Sequence, residues 1–224
     1  MVAVSTAEAV SIRHPSLGIT AYDMLRDRII QLRIPPESRL LIDEISREFG
    51  VSRTPIRDAL RLLVGDGLVT MGAHGAFFVR SADPSFVRDL FEVRLPLECL
   101  AVRRATPRVH MDDLLAVRRL IEAVRDADAS PDASERFYES DDRFHGLILG
   151  ESNNEVLQAT LRLLNNQIRW LRHLTYRHRP ADHIATCNEH LAIIAAIVQR
   201  DADLAVERMA EHLGSAQHRL SAPE

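Results

Sequence analysis

The stretch GVSRTPIRDALRLLVGDGLVTMGAHGAFFV, which begins at Gly50, constrains the fold more than any other part of the sequence. In its first half, Ile56, Leu60 and Leu63 recur at intervals of four and three residues, so one face of a helix can be buried. The opposite face of this short helix carries arginines in its first turns. The pattern therefore predicts an amphipathic helix with a basic outer face.

The second half of the stretch predicts two short strands, at about 68–70 and 76–79, around a glycine-containing turn. Another short helix, at about 43–49, precedes Gly50, which can take the left-handed conformation that ends a helix. Ser52 can cap the helix that follows. Two helices joined by such a turn and followed by a hairpin make a winged helix-turn-helix.

The arginines suggest what this unit binds. In a helix-turn-helix the start of the second helix enters the major groove of DNA. Arg53 and Arg57 are four residues apart and share a face, and arginine can bind guanine through both O6 and N7. A surface helix whose arginines are merely solvated is the alternative that this pattern leaves open.

The rest of the chain reads as helix from Pro84 onward, separated by breaks such as DADASPDASE. The fold is therefore predicted to be mainly α, with a winged helix-turn-helix (three helices and a small β-hairpin) followed by an all-α helical bundle. The expected parts are a flexible N-terminal arm (1–19), the winged helix-turn-helix (20–81) and the helical domain (82–224). Outside the short helices already described, the predicted helices cover residues 20–33, 84–106, 111–127, 133–150, 154–176, 181–199 and 202–220.

Composition narrows the class of protein. The chain has 224 residues and a net charge of −4, and it contains no apolar run long enough to cross a membrane. No secretory signal is visible, and the two cysteines are too few for a disulfide framework. We therefore expect a cytoplasmic protein with no membrane contact.

The segment LLIDEISREFGVSRTPIRDALRLLVGDGLVTMGAHGAFFV resembles the DNA-binding domain of GntR-family transcriptional regulators, with SRTPIRDALRLL and DGLV as its specific signature. The helical remainder is similar to the FCD effector domain of the FadR-type subfamily. The resemblance implies a homodimeric regulator, here expected to be a repressor. It would bind double-stranded DNA with an inverted-repeat operator and respond to a small carboxylate-bearing effector.

The resemblance also assigns DNA contacts by position. One departure from the family is Asp43, which stands where some members carry a DNA-contacting arginine. The residues that match the family's DNA-contacting positions are Ser52, Arg53, Thr54, Arg57, His74 and Gly75.

Four residues of the helical domain are candidates for a metal site. Asp141 and His145 are four apart on one predicted helix, and His190 and His212 lie on successive helices that should be antiparallel neighbours. Three imidazoles and a carboxylate suit Zn, Ni, Fe or Mn, although on spacing alone buried, hydrogen-bonded histidines explain His190 and His212 better. The pattern D-x-x-F-H, E-H and a final H is similar to the metal-binding subset of FCD domains. It implies a divalent metal ion, with zinc preferred, on these four residues.

Arg94 matches an arginine that faces the effector pocket in these regulators, where it would neutralise a carboxylate. A surface salt bridge to Glu98, four residues later, is the alternative. Two other functions stay open: a helical-bundle metallohydrolase, and a metal-free effector site as in acyl-binding relatives. A hydrolase would need a general base near the metal, and Asp142 and Glu189, next to predicted ligands, should point about 100° away from them.

Overall fold

The computed structural model describes residues 17–127, 133–176 and 180–221. Residues 1–16, most of the predicted arm, lie outside the described residues. The described residues confirm the mainly α fold. The helices are α1 (Leu17–Ile30), α2 (Ile42–Phe49), α3 (Arg53–Gly65), α4 (Pro84–Ala105), α5 (Met111–Arg125), α6 (Ala133–Glu151), α7 (Glu155–Tyr176), α8 (Pro180–Val198) and α9 (Ala202–Ser221). The strands are β1 (Arg39–Leu40), β2 (Val69–Met71) and β3 (Phe77–Val79).

The three strands form a small antiparallel sheet in the order β1-β3-β2. Val69 lies opposite Val79 and Met71 opposite Phe77, which fixes the register of the predicted hairpin. The sheet has one strand more than we predicted. The two residues of β1 are too few to show the alternation by which a strand is recognised in a sequence.

The turn between α2 and α3 has the predicted conformation. Gly50 has φ +66° and its amide donates to the Ser46 carbonyl. This is the common way for an α-helix to end, with a glycine in the left-handed conformation. Ser52 occupies the N-cap position of α3, but its side chain makes no capping hydrogen bond. Because α2 and α3 meet at this tight turn, the start of α3 is held at the surface.

The apolar side chains of α3 form the centre of the first domain. Ile56, Leu60 and Leu63 are completely buried, as predicted. On α1, Leu25 and Ile29 are also completely buried, whereas Met24 is 41% exposed. The helix predicted at 20–33 ends earlier, at Ile30, and Leu32 beyond it has φ +57°.

The helical domain is a bundle in which α4 packs against α6 and α9, and α8 packs between α5 and α9. The Asp83 side chain accepts from the Phe86 amide and so caps α4, whose first residue is Pro84. The predicted neighbours α8 and α9 are joined by a short turn at Arg200, with φ +58°. None of the described helices combines the length and the apolar character that crossing a membrane requires.

Helix α7 belongs to the bundle and also contacts the first domain. The Asn166 amide donates to the Asp66 carboxylate (2.8 Å), which also accepts from the Tyr22 hydroxyl. The Gln167 amide donates to the Asp66 carbonyl at 2.9 Å. Polar contacts from α7 thus hold the turn that follows α3.

Candidate DNA interface and metal centre

The start of α3 and the tip of the hairpin line one concave surface. The sequence predicted Arg53, Arg57 and His74 as DNA contacts. It did not indicate Arg39 and Arg47, because they lie on other elements and only the fold brings them to this surface. The basic residues of this surface are Arg39, Arg47, Arg53, Arg57 and His74. An arginine-rich concave face of this kind suits the phosphates and base edges of a duplex.

The remaining predicted DNA contacts are Ser52, Thr54 and Gly75, of which Gly75 lines the same face. Ser52 and Thr54 are exposed at the start of α3. His74 and Gly75 form the hairpin tip with φ +57° and +74°, so the wing turns back through two left-handed residues. At Gly75 the left-handed conformation causes no steric strain, because glycine has no Cβ.

Asp43, the departure from the family pattern, makes an ion pair on this surface. Its Oδ1 lies 2.7 Å from Arg53 Nε, and its Oδ2 accepts from Arg53 Nη2 at 3.2 Å. Helix α2 therefore contributes a carboxylate directly beside the first arginine of α3.

Three of the four predicted metal ligands converge in the bundle. His145 on α6, His190 on α8 and His212 on α9 each place a ring nitrogen within 4.8 Å of the other two. His190 Nε2 and His212 Nε2 are 3.3 Å apart, and the buried His145 Nε2 has no hydrogen-bond partner. Buried nitrogens that face one another without sufficient protein partners fit a divalent metal ion with nitrogen ligands.

Two carboxylates that sequence reasoning did not assign to the site hold the outer nitrogens of these rings. Glu98 Oε2 lies 3.3 Å from His145 Nδ1, and Glu189 Oε2 lies 2.7 Å from His212 Nδ1. Arg219 in turn donates to both oxygens of Glu189, at 2.9 and 3.0 Å. A carboxylate on Nδ1 fixes the ring so that Nε2 is free to bind a metal.

Asp141, the fourth predicted ligand, lies beside the cluster. It is buried, and its Oδ1 is 3.7 Å from His190 Nε2. It also makes an ion pair with Arg172. The Asp141 carboxylate thus pairs with an arginine and lies next to the histidine cluster without a hydrogen bond to it in the described part of the chain.

The surroundings keep two of the imidazoles neutral. Burial, reinforced by the neighbouring His212 and His145, places the pKa of His190 well below its usual range. Burial also lowers the pKa of His212 to about 4, although the hydrogen bond to Glu189 opposes the change. Neutral imidazoles are the form that binds metal, so at neutral pH these two rings need not lose a proton first.

A cavity of about 370 Å³ lies between α6 and α7, and His145 is the histidine of the cluster that lines it. Arg94 lines it and donates to Glu98 at 3.2 Å. The salt bridge considered from the sequence therefore exists, but both residues are only 4% exposed, so it is not a surface pair. The charged residues that line the cavity are Arg94, Glu98, Asp142, Arg162, Arg169 and Arg172.

The chain matches two family models. Residues 18–79 match "Bacterial regulatory proteins, gntR family" and residues 89–215 match the FCD domain. The chain is 33% identical over 168 residues to the Nta operon transcriptional regulator of Aminobacter aminovorans, covering 75% of this chain and 77% of that protein.

Two solved structures have a similar fold. The E. coli protein McbR/YncC superposes with a TM-score of 0.76 at 22% identity, over 92% of this chain and 98% of its own. The Zn²⁺-bound FCD domain of TM0439 superposes with a TM-score of 0.53 at 27% identity, over 62% of this chain and 94% of its own.

Both matched domains belong to transcriptional regulators, and neither points to an enzyme. The hydrolase alternative therefore has no support. The winged helix-turn-helix, the helical bundle behind it and the two family matches agree. The chain belongs to the GntR family of bacterial transcriptional regulators and carries an FCD domain.

Proposed function

We propose that this regulator is a homodimeric repressor whose operator affinity changes when a small carboxylate binds beside a divalent metal ion in the FCD domain. The observation that carries the proposal is the arginine-lined cavity whose wall includes His145, one member of the three-histidine cluster. Repression requires only that the protein occupy the operator, whereas activation also requires a contact with the polymerase. The simpler requirement favours repression.

The DNA part of the proposal rests on the exposed arginines of α3. One recognition helix with two or three base contacts is too weak to be selective, so two copies would read an inverted repeat. Two exposed apolar side chains on α4 support association of two FCD domains: Val93 is 49% exposed and Leu100 is 40% exposed. Their spacing of seven residues places them on one face of the helix.

Replacing Arg57 with alanine tests direct readout of the operator. The change is expected to cost roughly 1–3 kcal/mol on a duplex selected by the wild-type protein and to relax discrimination at one base. The measurement is the Kd on the selected duplex and on a scrambled one. Arg61→Ala is the matched control, because Arg61 is exposed on the same helix and pairs with Asp58 at 3.8 Å. Equal losses for Arg57→Ala on both duplexes would mean that Arg57 contacts only phosphate.

The metal part of the proposal rests on the three imidazoles, with Asp141 as the fourth ligand. Imidazole nitrogens with one carboxylate suit zinc, and nickel, iron or manganese would use the same donors. The metal would supply open coordination positions for carboxylate oxygens. Glu98 and Glu189 would hold His145 and His212 in place for it.

The effector part of the proposal rests on charge. Four arginines line the cavity against two acidic residues, so a ligand with negative charge would balance the surplus. Leu149, Leu161 and Ile168 line it as well and would contact the carbon skeleton. Arg94 would neutralise one carboxylate of the effector, because it lies on the cavity wall. It is also close to the proposed metal site, since it donates to Glu98, which contacts His145. The class that fits is a small organic acid.

Replacing Gly146 with alanine tests whether this cavity is the effector site. Gly146 lines the cavity on α6, and an added Cβ would meet no protein atom within 4 Å. Alanine should therefore stabilise the free protein by roughly 0.5–1 kcal/mol through helix propensity. The same methyl group would occupy ligand space, so the stabilisation by added carboxylates should fall.

Thermal melting with a panel of small mono-, di- and tricarboxylates measures both effects. Gly214→Ala on α9 is the control, because its added Cβ also meets nothing and Gly214 does not line the cavity. It should stabilise the protein and leave the response to carboxylates intact. A Gly146→Ala variant that responds to carboxylates as the wild type does would place the effector elsewhere.

A further inference from the structure

The ion pair between Asp43 and Arg53 lies on the surface that is proposed to face DNA. Both side chains are well exposed, at 61% and 70%, and both line the concave face between α3 and the wing. An exposed pair of this kind contributes little to the stability of a fold. The main consequence of the pair is therefore a restriction on the contacts that Arg53 can make.

The geometry of the pair leaves one edge of the guanidinium free. Asp43 occupies the side edge, with Oδ1 near Nε and Oδ2 near Nη2. A guanidinium has five N–H groups, and this arrangement leaves the two on Nη1 and one on Nη2. Those remaining groups form the end edge, which matches the O6 and N7 acceptors of guanine in the major groove.

We propose that Asp43 is a positioning residue that orients Arg53 for guanine and so increases the specificity of the regulator. The inference rests on the proposed function, in which Arg53 reads a base. A free arginine has many rotamers, and an arginine held by a carboxylate loses less entropy when it binds.

The charge of Asp43 acts in the same direction. Its carboxylate repels phosphates on any duplex, and it cancels one positive charge of the face, which weakens binding that does not depend on sequence. The gain from the oriented Arg53 is obtained only where a guanine is present. The difference in binding affinity between the operator and other DNA is therefore larger with Asp43 than without it.

The test uses the full-length protein and two duplexes: one enriched by the wild-type protein from a random library, and a scrambled duplex of the same composition. The variants are Asp43→Asn, Arg53→Ala and the double variant. Glu44→Gln is the charge-matched control. Glu44 is exposed on the same concave face, and it makes no ion pair within the part of the chain that the structure describes.

Arg53→Ala should weaken binding to the selected duplex by about 5- to 150-fold, which is the range for a bidentate contact to guanine. Asp43→Asn should weaken it by about 2- to 5-fold, the scale of an exposed ion pair, and should not weaken binding to the scrambled duplex. Glu44→Gln should change both duplexes alike. In the Arg53→Ala background, Asp43→Asn should no longer weaken binding to the selected duplex.

A third duplex carries 7-deazaguanine at the position where Arg53→Ala relaxes selection. It removes the N7 acceptor, so Asp43→Asn should cause no further loss on it. If Asp43→Asn instead strengthens binding to both natural duplexes as Glu44→Gln does, Asp43 acts only through its charge and the positioning role is wrong. If Arg53→Ala leaves discrimination between the duplexes unchanged, the proposed base contact of Arg53 is itself wrong.

Discussion

Removing the proposed metal ion from the purified protein is expected to lower its melting temperature by on the order of 10 °C. His145, His190 and His212 come from α6, α8 and α9, so one ion would tie three helices of the bundle together. A ligand that binds only the folded state adds RT ln(1 + [L]/Kd), which is about 4 kcal/mol at a thousand-fold excess over Kd. In a domain of this size each kcal/mol shifts the melting temperature by about 2–4 °C. Melting curves with and without chelator, followed by addition of zinc, measure the effect.

The histidines should account for the chelator sensitivity. His190→Ala and His212→Ala are expected to lower the melting temperature without chelator and to abolish most of the further fall that chelator causes. His218→Ala is the control, because His218 is exposed on α9, six residues beyond His212, and should leave the sensitivity intact. These variants should still bind operator DNA, since α3 lies in the other domain. Purified protein that holds no metal, with melting indifferent to chelator, would leave the histidines as a buried polar cluster.

Much of the first domain could be predicted because its signals are local. The apolar spacing of Ile56, Leu60 and Leu63 and the turn at Gly50 each depend on residues close together in the chain. Strand β1 could not be predicted in this way, because it exists only through its pairing with β3. For the same reason, the sequence did not indicate that Arg39 on β1 lines the basic concave surface.

The candidate metal centre could be predicted only in part. The four candidate ligands came from a sequence pattern, and the fold brings three of them within reach of one another. Glu98 and Glu189 were missed because their partners, His145 and His212, lie on other helices. Glu189 was expected to point away from its neighbour His190, and it contacts the histidine of α9 instead. Contacts between helices depend on packing that periodicity does not encode.

Most of the residues that line the cavity could not be predicted from the sequence for the same reason. Arg162, Arg169 and Arg172 recur on α7 at spacings of seven and three, which from sequence resembles an ordinary solvated face. Because α6 packs beside α7, this face lines a cavity that Asp142 of α6 also lines. Arg169 and Arg172 both pair with that carboxylate, at 3.2 and 2.5 Å, so part of the positive charge is already balanced. Arg162 makes no ion pair among the described residues, and Arg94 pairs with Glu98 through Nε only, so these two are the stronger candidates for an effector's carboxylates.

A fragment that ends at Arg80 is expected to bind the selected duplex about 10²- to 10⁴-fold more weakly than the full-length protein. The fragment keeps its own core, in which Leu25, Ile56 and Leu60 are completely buried, so it should fold. It lacks the FCD domain, which is proposed to hold two copies together. Residues 1–80 contain ten arginines against nine acidic residues, so net charge alone gives little attraction to DNA.

Sedimentation and binding measurements on both proteins test this expectation, with circular dichroism to establish that the fragment is folded. Fusing the fragment to an unrelated dimeric coiled coil with a flexible linker is the matched control. It should recover most of the lost affinity, because the second recognition helix then binds at a high local concentration. Tight and cooperative binding by the unfused fragment would show that the contacts between the two copies lie in the winged helix-turn-helix. In that case the exposed Val93 and Leu100 on α4 would not be needed for operator binding.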